Sequence, residues 1–274
     1  MFQRRSQPQT LFGTALRMAE LIFHDSVRNI RKGHRHALIG LLMNMLQTLL
    51  FVGIFYVMFT VLGMRTLAVR GDFLLYLLSG IFLFMTHNKT LKAVMGAEGP
   101  TSPMMQHAPM NTIVAIGSSA VSTLYTQVLS LAILLLVYNA INGPIYVYKP
   151  GGALAMLLLA WFTGIAVGIV FLALKPWAPK AIPMIANIYQ RANMIASGKM
   201  FLANTLPGYM LAMFDWNPLF HEIDQARGFI FLNYNPHFSS ITYPVVVSVV
   251  LLVLGLMGES FTRRHASASW SAGK

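Results

Sequence analysis

The ionisable residues that lie closest to apolar sequence are concentrated in the last third of this chain. The segment 216–227, WNPLFHEIDQAR, is polar and turn-forming, yet it comes just before the last long apolar run. It carries four ionisable residues, His221, Glu222, Asp224 and Arg227. Upstream, an otherwise apolar stretch contains Arg191 and Lys199. Because arginine binds carboxylate and phosphate groups through two parallel hydrogen bonds, anion binding is one chemistry that these side chains could perform.

Several other chemistries are excluded or disfavoured. The chain has no GxxxxGK[ST] sequence, so it does not hold ATP in a P-loop, and it has no G-x-S-x-G or HExxH sequence. It has no cysteine, which excludes disulfides and thiolate metal sites. Three of the eight histidines, His24, His34 and His36, lie among basic residues whose charge opposes a bound cation. We therefore expect no metal site.

The composition is that of a membrane protein. Apolar residues make up 56% of the chain and charged residues 10%, against a usual quarter for soluble domains. At least four stretches reach the length of about 20 apolar residues that a bilayer core of roughly 30 Å requires. The first residues, MFQRRSQPQTLFGT, lack the apolar core of a cleavable signal peptide. We expect no soluble catalytic domain.

The hydropathy pattern predicts an all-α integral membrane protein with six transmembrane helices, at about 37–62, 73–94, 112–140, 152–174, 181–202 and 243–258. The fifth span is unusually polar, which is tolerated where side chains face a bundle interior or a cavity. Residues 203–239 are too polar and too often interrupted by proline to cross once. Two short apolar pieces in this region predict a re-entrant helical pair before the last span.

The net charge of +12 is concentrated at the two ends. Seven of the 20 lysines and arginines precede the first span and three follow the last. Basic flanks place both termini in the cytoplasm, so the number of spans is even. We interpret the charge as a topology signal with anionic-lipid contact, and we expect no nucleic-acid partner.

The predicted organisation has three parts. Residues 1–36 form a cytoplasmic N-terminus, in which apolar residues at helical spacing over 11–31 predict an amphipathic helix in the membrane interface. A soluble protein-docking helix is the alternative. Residues 37–260 form the six-span domain, and 261–274 form a basic cytoplasmic tail. No carboxylate lies in the interior of a span so drawn. Since ion-coupled carriers usually place one there, this pattern argues against such a carrier.

Three regions together carry a family resemblance. The inner loop 96–111 leads into MMQHAPMNT at 104–112, SGKMF at 197–201 is followed by Leu206-Pro207, and Asn217-Pro218-Leu219 is followed by His221, Asp224 and Arg227. In order and spacing they resemble type-2 ABC transporter permeases of the capsular polysaccharide and lipopolysaccharide O-antigen exporter family. Lys199 departs from the pattern, since relatives usually have an apolar residue there.

The resemblance implies a half-transporter of the bacterial inner membrane. Two copies of this chain would pair with two ATPase subunits, and a lipid-linked polysaccharide would pass between the copies. ATP and Mg²⁺ would be held by the ATPase, so this chain would bind no cofactor and would not itself be an enzyme. Periplasmic and outer-membrane export proteins are further candidate partners. The alternatives are a type-2 permease for a drug or lipid and an ATP-independent channel.

The resemblance and the residue types together assign three candidate sites. Sugar rings stack on aromatic side chains, so the predicted substrate path comprises Phe51, Phe55, Tyr56, Phe59, Tyr189, Arg191 and Lys199. The predicted outer gate comprises Pro207, Asn217, Pro218, His221, Asp224 and Arg227. The predicted ATPase-coupling residues are Glu98, Ser102, Met105, Gln106 and His107.

Each assignment has an alternative. The aromatic stripe of the first span could pack on lipid or on a neighbouring helix. Asn217, Pro218 and Arg227 could cap and orient the re-entrant helices. Arg191 could contact either an anionic polymer or the paired protomer.

Overall fold

The computed structural model describes residues 11–32, 37–63, 72–97 and 112–265. Within these ranges the chain is helical and contains no strand, which confirms the all-α prediction. The helices are α1 (Leu11–Lys32), α2 (Ala37–Val61), α3 (Phe73–Met95), α4 (Thr112–Asn142), α5 (Pro150–Leu174), α6 (Ala181–Ala196), α7 (Gly208–Leu211), α8 (Pro218–Ile230) and α9 (Thr242–His265), with a 3₁₀ turn at Ala203–Thr205.

Four of these helices are long and apolar enough to cross a membrane: α4, α5, α9 and the part of α2 from Ile39 to Val61. They correspond to the predicted first, third, fourth and sixth spans. The chain is therefore an all-helical protein with the composition of a membrane protein. The last helix continues to His265, seven residues beyond the predicted end of its span.

The other two predicted spans, the second and the fifth, form helices that are not both long and apolar enough to meet the same criterion for crossing a membrane. In α3, which covers the second span, the C-terminal half contains His87, Asn88 and Lys89. The fifth span was predicted over 181–202, but α6 ends at Ala196, and its 16 residues extend about 24 Å. The helix stops because a turn follows in which Gly198 adopts φ +70°, a conformation that glycine accommodates without strain. The crossing of both helices stays a prediction.

Close glycine contacts join α3, α5 and α9 at the centre of the protein. A Cβ atom on Gly164 of α5 would lie 2.7 Å from the carbonyl oxygen of His87, and one on Gly168 would lie 2.9 Å from Cβ of Val94. A Cβ atom on Gly255 of α9 would similarly lie 2.9 Å from the side chain of Ile169, and one on Gly258 would lie 3.3 Å from Cβ of Ala173. Small residues let helix backbones approach this closely. Because residue numbers rise together along each pair, the three helices run parallel.

Helix α1 packs on the first half of α4. Ser26 donates a hydrogen bond to the carbonyl of Ser118 (3.2 Å), and Asn29 donates one to its hydroxyl (3.1 Å). Leu16, Leu21 and Phe23 remain more than half exposed. The helix predicted over 11–31 is confirmed as a helix, and its placement in a membrane interface stays a prediction.

Helix α8 lies between α3, α5 and α9 and runs opposite to α5. Its C-terminal end meets the start of α5, where the backbone N–H groups of Tyr148 and Lys149 donate to the carbonyls of Ile230 (3.1 Å) and Phe229 (2.8 Å). Further back along α8, Glu222 lies beside Thr163 in α5. Its 13 residues span about 20 Å, which is too short to cross a bilayer. It packs instead inside the bundle, among α3, α5 and α9.

Candidate functional site

The candidate site is the set of buried polar side chains around α8. Its first member, Asn217, caps the helix: its side-chain oxygen accepts a hydrogen bond from the backbone N–H of Leu219 (3.1 Å). Its amide nitrogen donates to Asn193 Oδ1 (2.9 Å) and to the carbonyl of Ala196 (3.0 Å). Pro218 follows at the first helical position, where its missing N–H costs nothing. Asn217 thus connects the start of α8 to the end of α6.

Arg227 holds the turn that follows α6. Its guanidinium donates to the carbonyls of Gly198 (2.9 Å), Lys199 (2.6 Å) and Phe201 (2.6 Å). It also lies over the ring of Tyr76 in α3, 4.2 Å from the ring centroid. The side chain is 1% exposed. Nη1 and Nη2 thus donate to the backbone, while the buried Nε has no hydrogen-bond partner within the described residues.

His221 and Asp224 connect α8 to the segment that precedes α9. The backbone N–H of Ser240 donates to His221 Nδ1 (3.0 Å), so the ring proton is on Nε2, which donates to the carbonyl of Asp215 (2.6 Å). Asp224 accepts hydrogen bonds from the hydroxyls of Tyr234 and Ser239. Three of the predicted gate residues, Asn217, His221 and Asp224, therefore hold α8 in place. Pro207 lies exposed before α7.

Lys199 lies among residues of the predicted path, yet inside the protomer. Its ammonium group donates to the carbonyl of Met194 (2.7 Å) and lies 3.8 Å from the ring centroid of Phe84. The rings of Phe51 and Phe55 are 5.3 and 5.5 Å away. Contact with aromatic faces stabilises a cation that is withdrawn from water. The lysine is 1% exposed, so it does not point into open space.

The aromatic stripe of α2 packs against α3. Phe51 stacks on Phe84 with centroids 6.2 Å apart, and Tyr56 and Phe59 contact Phe73 at 5.9 and 5.8 Å. Two members of the stripe, Phe55 and Phe59, are buried, and the other two are partly buried. This geometry corresponds to packing on a neighbouring helix, and contact with a polymer stays a prediction.

A chain of polar groups crosses the bundle beside α8. Glu222 Oε2 lies 3.4 Å from the hydroxyl of Thr163, which lies 2.9 Å from His87 Nδ1. His87 Nε2 lies 3.2 Å from the hydroxyl of Tyr189, which belongs to the predicted substrate path. Glu222 and His87 are both completely buried. The other carboxylate oxygen, Oε1, has no hydrogen-bond partner within the described residues.

The position of Glu222 corrects the argument against an ion-coupled carrier. Thr163 is 13 residues past Pro150, about 20 Å along a helix of 25 residues. Glu222 is thus beside the middle of a candidate span, although it belongs to none in sequence. Its carboxyl is completely buried and Oε1 has no hydrogen-bond partner within the described residues, an environment that disfavours the charged form.

Sequence reasoning missed Glu222, His87 and Thr163. Glu222 was interpreted as part of a polar segment outside the spans. A signal was available for His87, since it is an ionisable residue inside a predicted span and such residues are rarely there by chance. Thr163 has no comparable signal.

The remaining predicted residues are not brought into this cluster. Arg191 is exposed on α6, on a side that also carries the exposed residues Ile188 and Ile195. The predicted coupling residues Glu98, Ser102, Met105, Gln106 and His107 lie outside the described residues. Across the ranges that the structure describes, no group of three or more histidine and acidic side chains is arranged to hold a metal.

Comparison with protein-family models gave no match for this chain, and comparison with curated proteins gave none either.

Proposed function

We propose that this chain is the permease subunit of an ATP-driven ABC exporter that moves a lipid-linked polysaccharide of capsule or O-antigen type across the bacterial inner membrane. It has six spans and a re-entrant pair, with both termini in the cytoplasm. Two copies form the path, and two ATPase subunits supply the energy. The proposal rests on the motif order in the sequence and on the placement of α8.

The observation that carries the proposal is a short capped helix inside the bundle, directly before the last span. Helix α8 begins beside the end of α6 and contacts the middle of α5 at Thr163. Its last turn lies beside Lys149, where α5 begins. A re-entrant segment would follow such a course, which supports the proposal. It is tolerable at membrane depth because its polar groups are satisfied by protein.

The directions of the helices support six crossings. Ring contacts pair Phe51 with Phe84 and Phe59 with Phe73, so α2 and α3 run in opposite directions. The indole N–H of Trp161 in α5 donates to the carbonyl of Ala120 in α4, so these two helices lie side by side. Helices α3, α5 and α9 are parallel, as expected when every second span returns to the cytoplasm. Helix α6 would be the remaining crossing, with the turn after Ala196 covering the part of the bilayer that the helix itself does not reach.

The exposed side of α6 is the candidate face for the second copy. Its exposed residues Met184, Ile188 and Ile195 are apolar, and Arg191 lies among them. An arginine at membrane depth costs about 2.5–3.5 kcal/mol unless a partner offsets it. A second protomer or an anionic polymer between two protomers would provide that partner.

Proton-coupled transport is the second candidate function, and Glu222 is the observation that favours it. A buried protonatable carboxyl beside the middle of a span, connected through Thr163 to His87, is the kind of group that proton-driven carriers use. The same contacts equally serve to fix α8 against α3 and α5. The motif order favours the ATP-driven exporter.

Hydrolysis assays test the proposed subunit composition. The purified chain is expected to hydrolyse no ATP, since it has no phosphate-binding loop, and hydrolysis is expected when it is co-purified with an ATPase encoded beside its gene. Cysteine substituted for Met105 or Gln106 should cross-link to that ATPase. Hydrolysis that persists in the chain alone after every other subunit is removed, or labelling of these cysteines from the periplasm, would count against the proposal.

A further inference from the structure

A polar cavity of about 470 Å³ lies between α1, α2, α3 and α4, away from the cluster around α8. The polar side chains that line it include Asn29, Asn44, Lys89, Ser122, Thr126 and Gln127. Tyr125 also lines it and is 57% exposed, so the cavity reaches the outer surface of the bundle. We refer to it as the α1–α4 cavity.

Lys89 brings positive charge to the cavity. The amine of Lys89 donates to Asn44 Oδ1, and Asn44 Nδ2 donates to Gln127 Oε1 (2.9 Å) and to Ser130 Oγ (2.6 Å). These bonds aim the amine at the cavity. Among the described residues, no aspartate or glutamate lines the cavity and no carboxylate forms an ion pair with Lys89. The hydroxyls of Ser122 and Thr126 and the amides of Asn44 and Gln127 donate within the protein, so the ammonium group of Lys89 is the group that would bind an anion such as phosphate.

The depth of the cavity matches a lipid headgroup. Lys89 is six residues before the end of α3, about 9 Å along the helix axis, and Asn44 is seven residues after the start of α2, about 10 Å. Both helix ends lie on the side to which the predicted topology assigns the cytoplasm. The amphipathic helix α1 contributes Asn29 and Ile30 at this level. For an α2 of about 38 Å centred on a hydrocarbon core of roughly 30 Å, this level is about 6 Å inside the headgroup boundary, a distance that a lysine side chain can span.

We propose that the α1–α4 cavity binds the phosphate of a membrane lipid headgroup, with Lys89 as its cation. The lipid's acyl chains would leave along the exposed side of α4, where Val121 and Val128 flank the cavity-lining Tyr125. This proposal needs only that the four helices stand in a membrane. It does not depend on the transported substrate or on the energy source.

Binding to the full-length chain in an uncharged maltoside detergent tests the proposal. Phosphatidylglycerol is the probe, and a diacylglycerol with the same acyl chains but no phosphate is the comparison. We expect retained phosphatidylglycerol by native mass spectrometry and a raised Tm, and neither effect with diacylglycerol. Lys89→Gln should weaken binding by at least about tenfold, as expected for loss of a charge-assisted hydrogen bond.

The matched control is Lys92→Gln, because Lys92 is exposed on the same helix and does not line the cavity. It should bind like the unaltered chain. Thr126→Leu narrows the cavity without changing charge and should also lose binding, which keeps the test decisive if Lys89→Gln does not fold. Equal binding by the Lys89→Gln and Lys92→Gln variants, equal binding of diacylglycerol, or the same Tm shift with inorganic phosphate would overturn the proposal.

Discussion

Replacing Arg227 with alanine is expected to remove most of the folded protein. Three backbone carbonyls of the turn after α6 would lose their donor while remaining buried. Each unsatisfied buried group costs about 1–3 kcal/mol, so the sum is comparable with the whole stability of many proteins, about 5–15 kcal/mol. The measurement is the monodisperse peak in size-exclusion chromatography of detergent extracts, followed by fluorescence.

Two variants calibrate this result. Arg264→Ala removes an arginine that is exposed on α9 and should leave the peak unchanged. Arg227→Lys keeps the charge but cannot reach three carbonyls with one planar group, so it should fall between the two. If Arg227→Ala gives the same yield as Arg264→Ala, the guanidinium does not hold the turn and α8 is positioned by other contacts.

The second large effect is expected at Gly164. Adding one methyl group here would place a carbon 2.7 Å from the His87 carbonyl oxygen and 3.0 Å from Thr90 Cβ, so α3 and α5 must separate. Overpacking of this kind costs about 1–3 kcal/mol. We expect Gly164→Ala to lower the Tm in detergent and Gly164→Leu to prevent folding.

Gly53→Ala is the matched control, because it adds the same methyl group at a position where there is space for it. Gly53 is in α2, and among the described residues no atom beyond its own helical turn lies within 4 Å of a Cβ built on it. Alanine is favoured over glycine in a helix by about 0.5–1 kcal/mol, so the Tm should stay or rise. A Gly164→Ala variant as stable as Gly53→Ala would show that α3 and α5 are not in close contact.

The helices could be predicted from the sequence because their signal is local. The four most apolar segments appear as α2, α4, α5 and α9 close to the predicted bounds. The end of α6 at Ala196 could not be placed, because a stop inside an apolar run depends on how the Gly198 turn is held. That turn is held by Arg227, 28 residues from Lys199 along the chain.

The candidate site was predicted only in part, because its residues carry a local signal and their partners do not. The residues Asn217, His221, Asp224 and Arg227 stand out as polar groups close to an apolar run, and all four do lie in the bundle. Their partners are backbone atoms and the side chains of Asn193, Tyr234 and Ser239, which no local pattern connects to them. Glu222 was overlooked because its depth is set by α8 folding back against α5, a long-range contact.

Transport in proteoliposomes tests the central claim most directly. The liposomes would contain this chain with its partner ATPase and a labelled lipid-linked glycan, and the measured quantity is glycan that crosses the bilayer. The account predicts transport that requires ATP, stops with a catalytically inactive ATPase, and continues when a protonophore removes the proton gradient. Transport that proceeds without ATP and is abolished both by the protonophore and by Glu222→Gln would contradict it and assign the chain to the proton-coupled carriers.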